Sequence, residues 1–410
     1  MQERTIGQRW RSTTLPYLAM EGVGQASEFV GWILLARRLG TETFGELMVA
    51  VLACRYAGLI ADWGASISGV RDVAEGRHPR ALRALERRRI LAATVLSAAY
   101  LVGAGLSGHG RLMPLVVMIL CIGLNRDWIA LGREQGARSG LPALVQGLTM
   151  VSLALVSTAG HPEVAPSVAY GCGLVLSLAL NRLPRLRPQD EEADAPAPVD
   201  GWMLVAVLAN QVLSTTDTFL IALLLTASKA GIYSAVYRLP NGWLALLVIL
   251  RGGLLPLATS VRREHPEQFA GLRRSSLRWS AGSAAVLLAL IPLSYVAIPR
   301  VFGHAYDDGR WPAAVLLLAT ALATLSAPLH HLYLAFGNDR PYAGYLVWAA
   351  ILNIGLNLAA IPTLGLVGAA GATLVANAFL AAALWRGLRE RMTGLSLTAA
   401  GAAPTPRPVP

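Results

Sequence analysis

The sequence predicts an all-α integral membrane protein of about twelve transmembrane helices in two six-helix lobes. Three observations support this class: 54% of the 410 residues are hydrophobic, only 14% are charged, and largely uncharged apolar runs recur about twelve times. A soluble domain of average composition carries about 25% charged residues. This composition excludes a cytosolic enzyme and a secreted domain. It also excludes an outer-membrane barrel, because barrel strands alternate apolar and polar residues.

Each predicted span is an apolar run that ends at charged or turn-forming residues. A helix crosses the bilayer core with about 20 apolar residues. In the first half the runs lie at 14–36, 44–67, 90–107, 112–131, 141–159 and 164–180. In the second half they lie at 202–226, 232–255, 279–301, 312–336, 342–361 and 366–385. We therefore expect an N-terminal lobe, a cytoplasmic linker, a C-terminal lobe and a disordered cytoplasmic tail, at 1–180, 181–200, 201–386 and 387–410.

The distribution of cations predicts the orientation. If the N-terminus is cytoplasmic, 25 of the 35 Lys and Arg residues fall in inner segments, 6 in outer segments and 4 within spans. Cytoplasmic loops carry an excess of Lys and Arg. We therefore expect a multi-pass inner-membrane protein with both termini in the cytoplasm. The net charge of +11 then reflects topology, and no nucleic-acid partner is expected, because the cations interrupt spans instead of forming one stripe.

The three cysteines, Cys54, Cys121 and Cys172, lie in apolar runs and form no CxxC pair. Neither a disulfide framework nor a zinc site is indicated. We expect no metal and no cofactor.

The two halves resemble each other. The first turn, TETFGEL at 41–47, and the turn between the seventh and eighth spans, ASKAGIY at 227–233, both place a glycine at the head of the next span. The segments 131–134 and 336–339 also correspond. Six spans per half with matched turns indicate a parallel repeat about an axis along the membrane normal, a layout of several transporter folds. A substrate site would lie between the lobes.

Ionisable residues inside spans are the candidate site residues, because each costs about 2.5–3.5 kcal/mol at mid-bilayer. Depth, at about 1.5 Å per residue, divides them into two groups. A candidate substrate-binding cavity between the midplane and the outer half holds Glu28, Arg55, Asp217 and Arg238. A candidate inner-side polar network holds Asp62, Arg126, Asp127 and Arg251.

Two interpretations of these charges stay open. The planar guanidinium of arginine gives phosphate two parallel charge-assisted hydrogen bonds, so a cavity holding Arg55 and Arg238 would bind a pyrophosphate-sized anion. In the alternative, Arg55 pairs with Glu28 and Arg238 with Asp217 as buried structural ion pairs. The inner-side residues have the further alternative of snorkelling to the interface.

Several motifs resemble the Wzx-type polysaccharide flippases of the multidrug/oligosaccharidyl-lipid/polysaccharide (MOP) exporter superfamily. The opening of that family is similar to ARRLGTETFG, DWG and VRDVA at 36–45, 62–64 and 70–74. The start of its second half is similar to Asp217, GIYSA at 231–235 and YRL at 237–239. Its last two spans are similar to NIGLN, IP and GLVGAA at 353–357, 361–362 and 365–370. The likeness runs from about Gly24 to Arg386.

The resemblance implies a V-shaped pair of six-helix lobes that flips a polyprenyl-diphosphate-linked oligosaccharide by alternating access. It places a cavity cation at Arg238 and implies no enzyme activity. Its expected partners are the lipid-linked glycan, the bilayer, a polysaccharide polymerase and glycosyltransferases. The related lipid II flippases carry two further helices, for which this chain lacks the length. The alternatives are a drug or metabolite antiporter of the same superfamily and a non-transporting scaffold for glycan assembly.

Overall fold

The computed structural model describes residues 15–64, 66, 69–70, 73, 79–133, 135–158, 160–183, 201–251, 254–337 and 339–401. This part of the chain is helical and contains no strand. The first half contains α1 (Leu15–Asp62), α2 (Pro79–Leu106), α3 (Val116–Leu124), α4 (Asp127–Gly132), α5 (Gly136–Ala154) and α6 (Val164–Leu180). The second half contains α7 (Gly201–Leu224), α8 (Ala227–Arg251), α9 (Leu254–Glu264), α10 (Phe269–Ala289), α11 (Ile291–Phe302), α12 (Arg310–Leu334) and α13 (Asp339–Gly401).

The two longest helices each contain two predicted spans. Non-helical backbone interrupts α1 at Gly40 (φ 75°) and α13 at Gly365 (φ 59°). A side chain disfavours positive φ, which glycine adopts freely. The arms are α1a (15–39) and α1b (41–62), then α13a (339–364) and α13b (366–401). With these arms, every predicted span corresponds to a helix or a consecutive helix pair, so the all-helical membrane fold is confirmed.

Length and composition support membrane crossing. Six described helices are long and apolar enough to span a bilayer, and a seventh candidate is a bent pair joined at about 55°. That pair consists of Pro266–Ala289 and Ile291–Phe302, which together cover the predicted span at 279–301. The predicted linker lies outside the described residues from 184 to 200. The last helix continues to Gly401 and buries Leu388 completely, although a disordered tail was expected from residue 387.

The apolar core shows where the halves meet. The largest cluster combines Trp32 and Phe44 of α1 with Tyr233 of α8, Phe302 of α11 and Tyr306 in the turn after it. A second cluster contains only residues of the second half, and a third only residues of the first half. Burial therefore joins the halves around the break in α1, whereas the other clusters hold each half together by itself.

Candidate functional site

The repeat-matched turns lie against each other. A Cβ atom on Gly45 would overlap the carbonyl group of Ala227, and one on Gly231 would overlap the carbonyl group of Thr41. The hydroxyl oxygens of Thr41 and Ser228 are 2.7 Å apart and share a hydrogen bond. We call this region, 41–45 and 228–231, the closed end. Both glycines are needed there because the backbones of the two halves touch.

A third segment seals the closed end. The buried Tyr306 hydroxyl donates to the Ala36 carbonyl oxygen at 2.6 Å. The neighbouring Asp307 forms an ion pair with Arg310 at 2.8 Å. Hydrogen bonding from the Arg310 guanidinium lowers the pKa of the Asp307 carboxyl below its ordinary value. Asp307 is therefore ionised at neutral pH, and this surface pair is present under physiological conditions.

The halves remain in contact along α1b and α7. The Tyr56 hydroxyl lies 2.9 Å from the Thr215 hydroxyl, 3.0 Å from that of Thr216 and 3.2 Å from the Gln211 carbonyl oxygen. Its ring lies 5.8 Å from that of Phe219. Tyr56 is sixteen residues beyond Gly40, about 24 Å of helix. This seam therefore extends far from the closed end.

The opposite seam, between α1a and α8, contains a cavity of about 730 Å³. Residues of both halves line it, and nearly all are apolar. They include Leu18, Val23 and Phe29 from α1a and Leu239 and Trp243 from α8. Its walls therefore suit hydrocarbon. The charged residues predicted to line a shared polar cavity do not line this one.

Arg238 reaches from the second half into the first. Its guanidinium carbon lies 4.3 Å from the centroid of the Trp32 ring and 5.9 Å from that of Phe44. One terminal nitrogen donates to the Met48 sulfur at 2.9 Å. Its Nε is buried and has no hydrogen-bond partner among the described residues. The cation therefore lies against aromatic ring faces and a thioether. These uncharged partners do not provide the charge-assisted hydrogen bonds that a guanidinium makes with an anion.

Glu28 lies behind Trp32. One carboxylate oxygen accepts hydrogen bonds from Trp32 Nε1 at 3.0 Å and the Tyr170 hydroxyl at 2.9 Å, and the other accepts from Gln146 Nε2 at 3.1 Å. Three neutral donors from three helices fix this carboxylate. The Trp32 indole therefore carries Arg238 on its face and Glu28 at its edge, which connects the two charges across the seam.

Arg55 is the least constrained charge of the candidate cavity. Its side chain is exposed and forms no ion pair within the described part of the chain. It lies within electrostatic range of Tyr170 and Arg238, as does Glu28. Three of the four predicted cavity residues, Glu28, Arg55 and Arg238, are therefore neighbours.

Asp217 has a different environment. Its carboxylate is 1% exposed and accepts hydrogen bonds from Tyr233 and Thr373 at 2.6 Å each, with the Asn357 amide at 3.5 Å. The side-chain oxygen of Asn357 and the side-chain nitrogen of Asn353 are buried, with no hydrogen-bond partner in the part of the chain that the structure describes. These residues come from α7, α8 and both arms of α13. We call them the Asp217 cluster; it lies inside the second half.

The alternative of two structural ion pairs is wrong for the described residues. Arg238 turns toward the first half, whereas Asp217 turns into its own half, where hydroxyl and amide groups satisfy it. Glu28 is satisfied by neutral donors, and Arg55 stays exposed. Depth along a helix placed these residues at similar levels, but it did not determine which way each side chain points.

At the far end of the first half, predicted and unpredicted charges form one buried network. Arg89 is 0% exposed and binds Asp62 at 3.0 Å, Glu86 at 2.9 Å and the Asn125 carbonyl oxygen at 2.8 Å. Glu86 also pairs with Arg126 at 2.8 Å. We call this the Arg89 network. It brings Asp62 and Arg126 together within one half, as structural partners.

The other two inner-side residues differ. The Asp127 carboxylate accepts from the Asn181 amide at 3.2 Å and makes no ion pair within the described residues. The side chain of Arg251 lies outside the described residues. Sequence reasoning missed Arg89 and Glu86, because both precede the apolar run at 90–107; Arg89 was counted as a loop cation and Glu86 was not considered. The spacing of three between them was the available signal, since such residues share a helix face.

Solved transporters share this fold over nearly the whole chain. The lipid II flippase MurJ in an inward closed conformation superposes with a TM-score of 0.69 at 11% identity, covering 94% of this chain and 90% of that chain. An inward-facing multidrug resistance MATE family transporter of the MOP superfamily gives 0.66 at 11% identity, covering 94% and 100%. A MOP superfamily transporter from Pyrococcus furiosus gives 0.61 at 12% identity, covering 95% and 96%.

No protein-family model and no curated protein matches the sequence. At 11–12% identity, the solved structures show a common fold. The chain therefore has the MOP fold, in agreement with the fold implied by the resemblance.

Proposed function

We propose that this protein is a flippase that moves a polyprenyl-diphosphate-linked oligosaccharide across the cytoplasmic membrane for cell-surface polysaccharide biosynthesis. The resemblance to Wzx-type flippases supports this proposal. One of the solved structures with the same fold is a lipid II flippase. The mechanism is alternating access, in which the two halves open toward one membrane face at a time. The reaction makes and breaks no covalent bond.

The observation that carries the proposal is a pair of arginines, one from each half. In the described part of the chain, Arg238 has a buried Nε without a hydrogen-bond partner, and the exposed Arg55 makes no ion pair. The two guanidinium groups come from different halves and lie within electrostatic range of each other. A diphosphate that bridges them would neutralise their mutual repulsion and supply the missing acceptors.

The apolar cavity supports the choice of a lipid-linked substrate. Leu239, which follows Arg238 directly, lies in its wall, together with Phe29 and Val23. A diphosphate at Arg238 would therefore place an attached isoprenoid chain beside apolar surface, from which it extends into the bilayer. The sugar head group would occupy the space between the halves.

Binding has to be reversible. The diphosphate replaces Trp32 and Met48 as the partner of Arg238, so the closed contact between the halves and the substrate compete for one cation. Opening of the closed end releases the head group, and return of Arg238 to Trp32 resets the protein. If both termini are cytoplasmic, as the cations predict, the closed end faces the periplasm.

The test is flipping of a fluorescent polyprenyl-diphosphate-linked sugar in proteoliposomes. We expect Arg238→Ala to abolish flipping and Arg238→Lys to restore it in part, since an ammonium lacks the bidentate fork. Arg55→Ala should reduce flipping in the same direction. Full activity of Arg238→Ala at equal reconstitution would refute the proposed role of this arginine, whereas an absence of flipping by the unaltered protein would favour the scaffold alternative.

The Asp217 cluster favours a second candidate function, an antiporter of drugs or metabolites. A buried carboxylate beside an unpartnered amide oxygen would bind a proton or a monovalent cation. One solved structure with this fold is a multidrug resistance transporter. Efflux of toxic organic cations from intact cells, lost in Asp217→Asn and retained in Arg238→Ala, would support this alternative over the flippase.

A further inference from the structure

A second pocket lies on the second half, between α8 and α10. Its volume is about 440 Å³, and its lining residues are Trp243, Arg278, Trp279, Gly282, Ser283 and Val286. Gly282 leaves space in its floor, because a Cβ atom built there meets no heavy atom within 4 Å. Apart from Trp243, these residues differ from those that line the cavity between the halves. The pocket is therefore distinct from the cavity between the halves.

Two residues that line this pocket carry hydrogen-bond donors without a side-chain acceptor or ion-pair partner in the described part of the chain. The Trp243 Nε1–H is buried and has no acceptor there. Arg278 is exposed and makes no ion pair within the described residues. The open space beside Arg278 is where an acceptor for its guanidinium would sit. An anionic oxygen group fits this requirement, because a guanidinium is a cation that only donates hydrogen bonds.

The surroundings of this group fit the edge of a bilayer. Trp279, next to Arg278, is 79% exposed, and tryptophan is enriched where lipid head groups meet hydrocarbon. Trp279, Gly282 and Val286 follow Arg278 along one face of α10 and form part of the pocket wall. These three residues are apolar. The pocket thus presents a cation at one side and hydrocarbon-lined space below it.

We propose that this pocket binds an anionic glycerophospholipid of the surrounding bilayer. Arg278 pairs with the phosphodiester, and the space above Gly282 and Val286 holds the start of an acyl chain. One guanidinium matches the single charge of a phosphodiester, whereas a diphosphate would carry uncompensated charge. The site contains neither Arg55 nor Arg238 and does not depend on the proposed flippase function.

The test is lipid retention by the purified full-length protein, measured by native mass spectrometry with phosphatidylglycerol or phosphatidylcholine added. We expect tighter retention of phosphatidylglycerol. Arg278→Ala should weaken its binding roughly tenfold, the effect of losing one charge-assisted hydrogen bond, and Arg278→Lys should weaken it less. Gly282→Leu fills the pocket from an unobstructed position and should reduce retention of both lipids.

The matched control is Arg274→Ala, which removes an exposed cation one turn earlier on the same helix. An equal loss of phosphatidylglycerol in this variant would overturn the proposal, because the lipid would then respond to general surface charge. Equal retention of phosphatidylcholine by the unaltered protein would also overturn it. Glycerol phosphate is the soluble competitor; release of bound lipid by millimolar concentrations would assign the site to a soluble anion instead. Melting temperatures of all variants check that each is folded.

Discussion

The guanidinium of Arg238 lies over the ring of Trp32, at 4.3 Å from its centroid, and the two residues belong to different halves of the protein. The same indole donates to Glu28 at 3.0 Å. One aromatic ring therefore connects a cation of the second half with a carboxylate of the first. Separation of the halves at this level breaks the contact and exposes the cation.

The first prediction concerns the closed end. The hydroxyl oxygens of Thr41 and Ser228 are 2.7 Å apart, so Thr41→Cys and Ser228→Cys together should form a disulfide on oxidation. This bond should abolish flipping, and a reducing agent should restore it, because alternating access requires the contact to open. The measurement uses a background without the three native cysteines, with each single variant as a control. Flipping that persists with a complete cross-link would contradict movement at this end.

The second prediction concerns the glycines of this contact. Gly45→Ala and Gly231→Ala place a methyl group against the backbone of the other half. We expect both to reduce flipping and to lower the yield of the Thr41–Ser228 cross-link. Gly344→Ala is the control, since its Cβ meets nothing within 4 Å. Cross-link yields equal to that of the parent would show that the halves do not pack as described.

The third prediction separates Arg238 from Asp217. If they formed an ion pair, neutralising both would restore the function lost on neutralising one, because no uncompensated buried charge would remain. Since they have different partners, we expect Arg238→Ala combined with Asp217→Asn to remain inactive. The flipping rates of the two single variants and the double variant provide the test. Recovery in the double variant would assign Arg238 a structural role instead of substrate binding.

The fourth prediction concerns the Arg89 network. Removing one partner of a buried ion pair leaves an unpaired charge, which costs about 3–5 kcal/mol. Arg89→Ala should therefore lower the melting temperature in detergent strongly. Arg88→Ala removes the adjacent exposed cation and should change it little. If Arg89→Ala and Arg88→Ala have the same melting temperature, the network does not contribute to stability.

The fifth prediction is topological. Reporters fused in the segment at 181–200 and after residue 401 should both indicate the cytoplasm, because 25 cations fall on that side and 6 on the other. A periplasmic signal at either position would reject the predicted orientation. It would also reverse the assignment of the closed end.

The sequence predicted the helices well, since each span is an apolar run of the length that a bilayer requires. It also matched the turns at 41–47 and 227–233, which the structure brings into contact at Gly45 and Gly231. The matching depended on local sequence alone. It did not indicate that the two turns touch, because that contact depends on how the halves close around each other.

The partners of the charges were harder to predict. Arg238 was expected to face either a substrate or Asp217, yet it contacts an aromatic ring and a methionine. Both partners are uncharged, so no pattern of charged residues in the sequence points to them. Arg89 was assigned to a loop because a hydropathy boundary at residue 90 separates it from the apolar run, although the helix begins at Pro79. The partner of a charged side chain depends on the direction in which that side chain points. The hydropathy pattern predicts where a helix lies better than it predicts this direction.

The seam at Tyr56 affects how larger assemblies would form. Hydrogen bonds to Thr215 and Thr216 hold the halves together at Tyr56, whereas the cavity beside Leu239 lies where α1a meets α8. If the protein flips a lipid-linked molecule as proposed, that molecule would reach the cavity from the α1a–α8 side. A partner docked over that side would obstruct the molecule, so the proposal favours the Tyr56 side for any assembly that this protein joins.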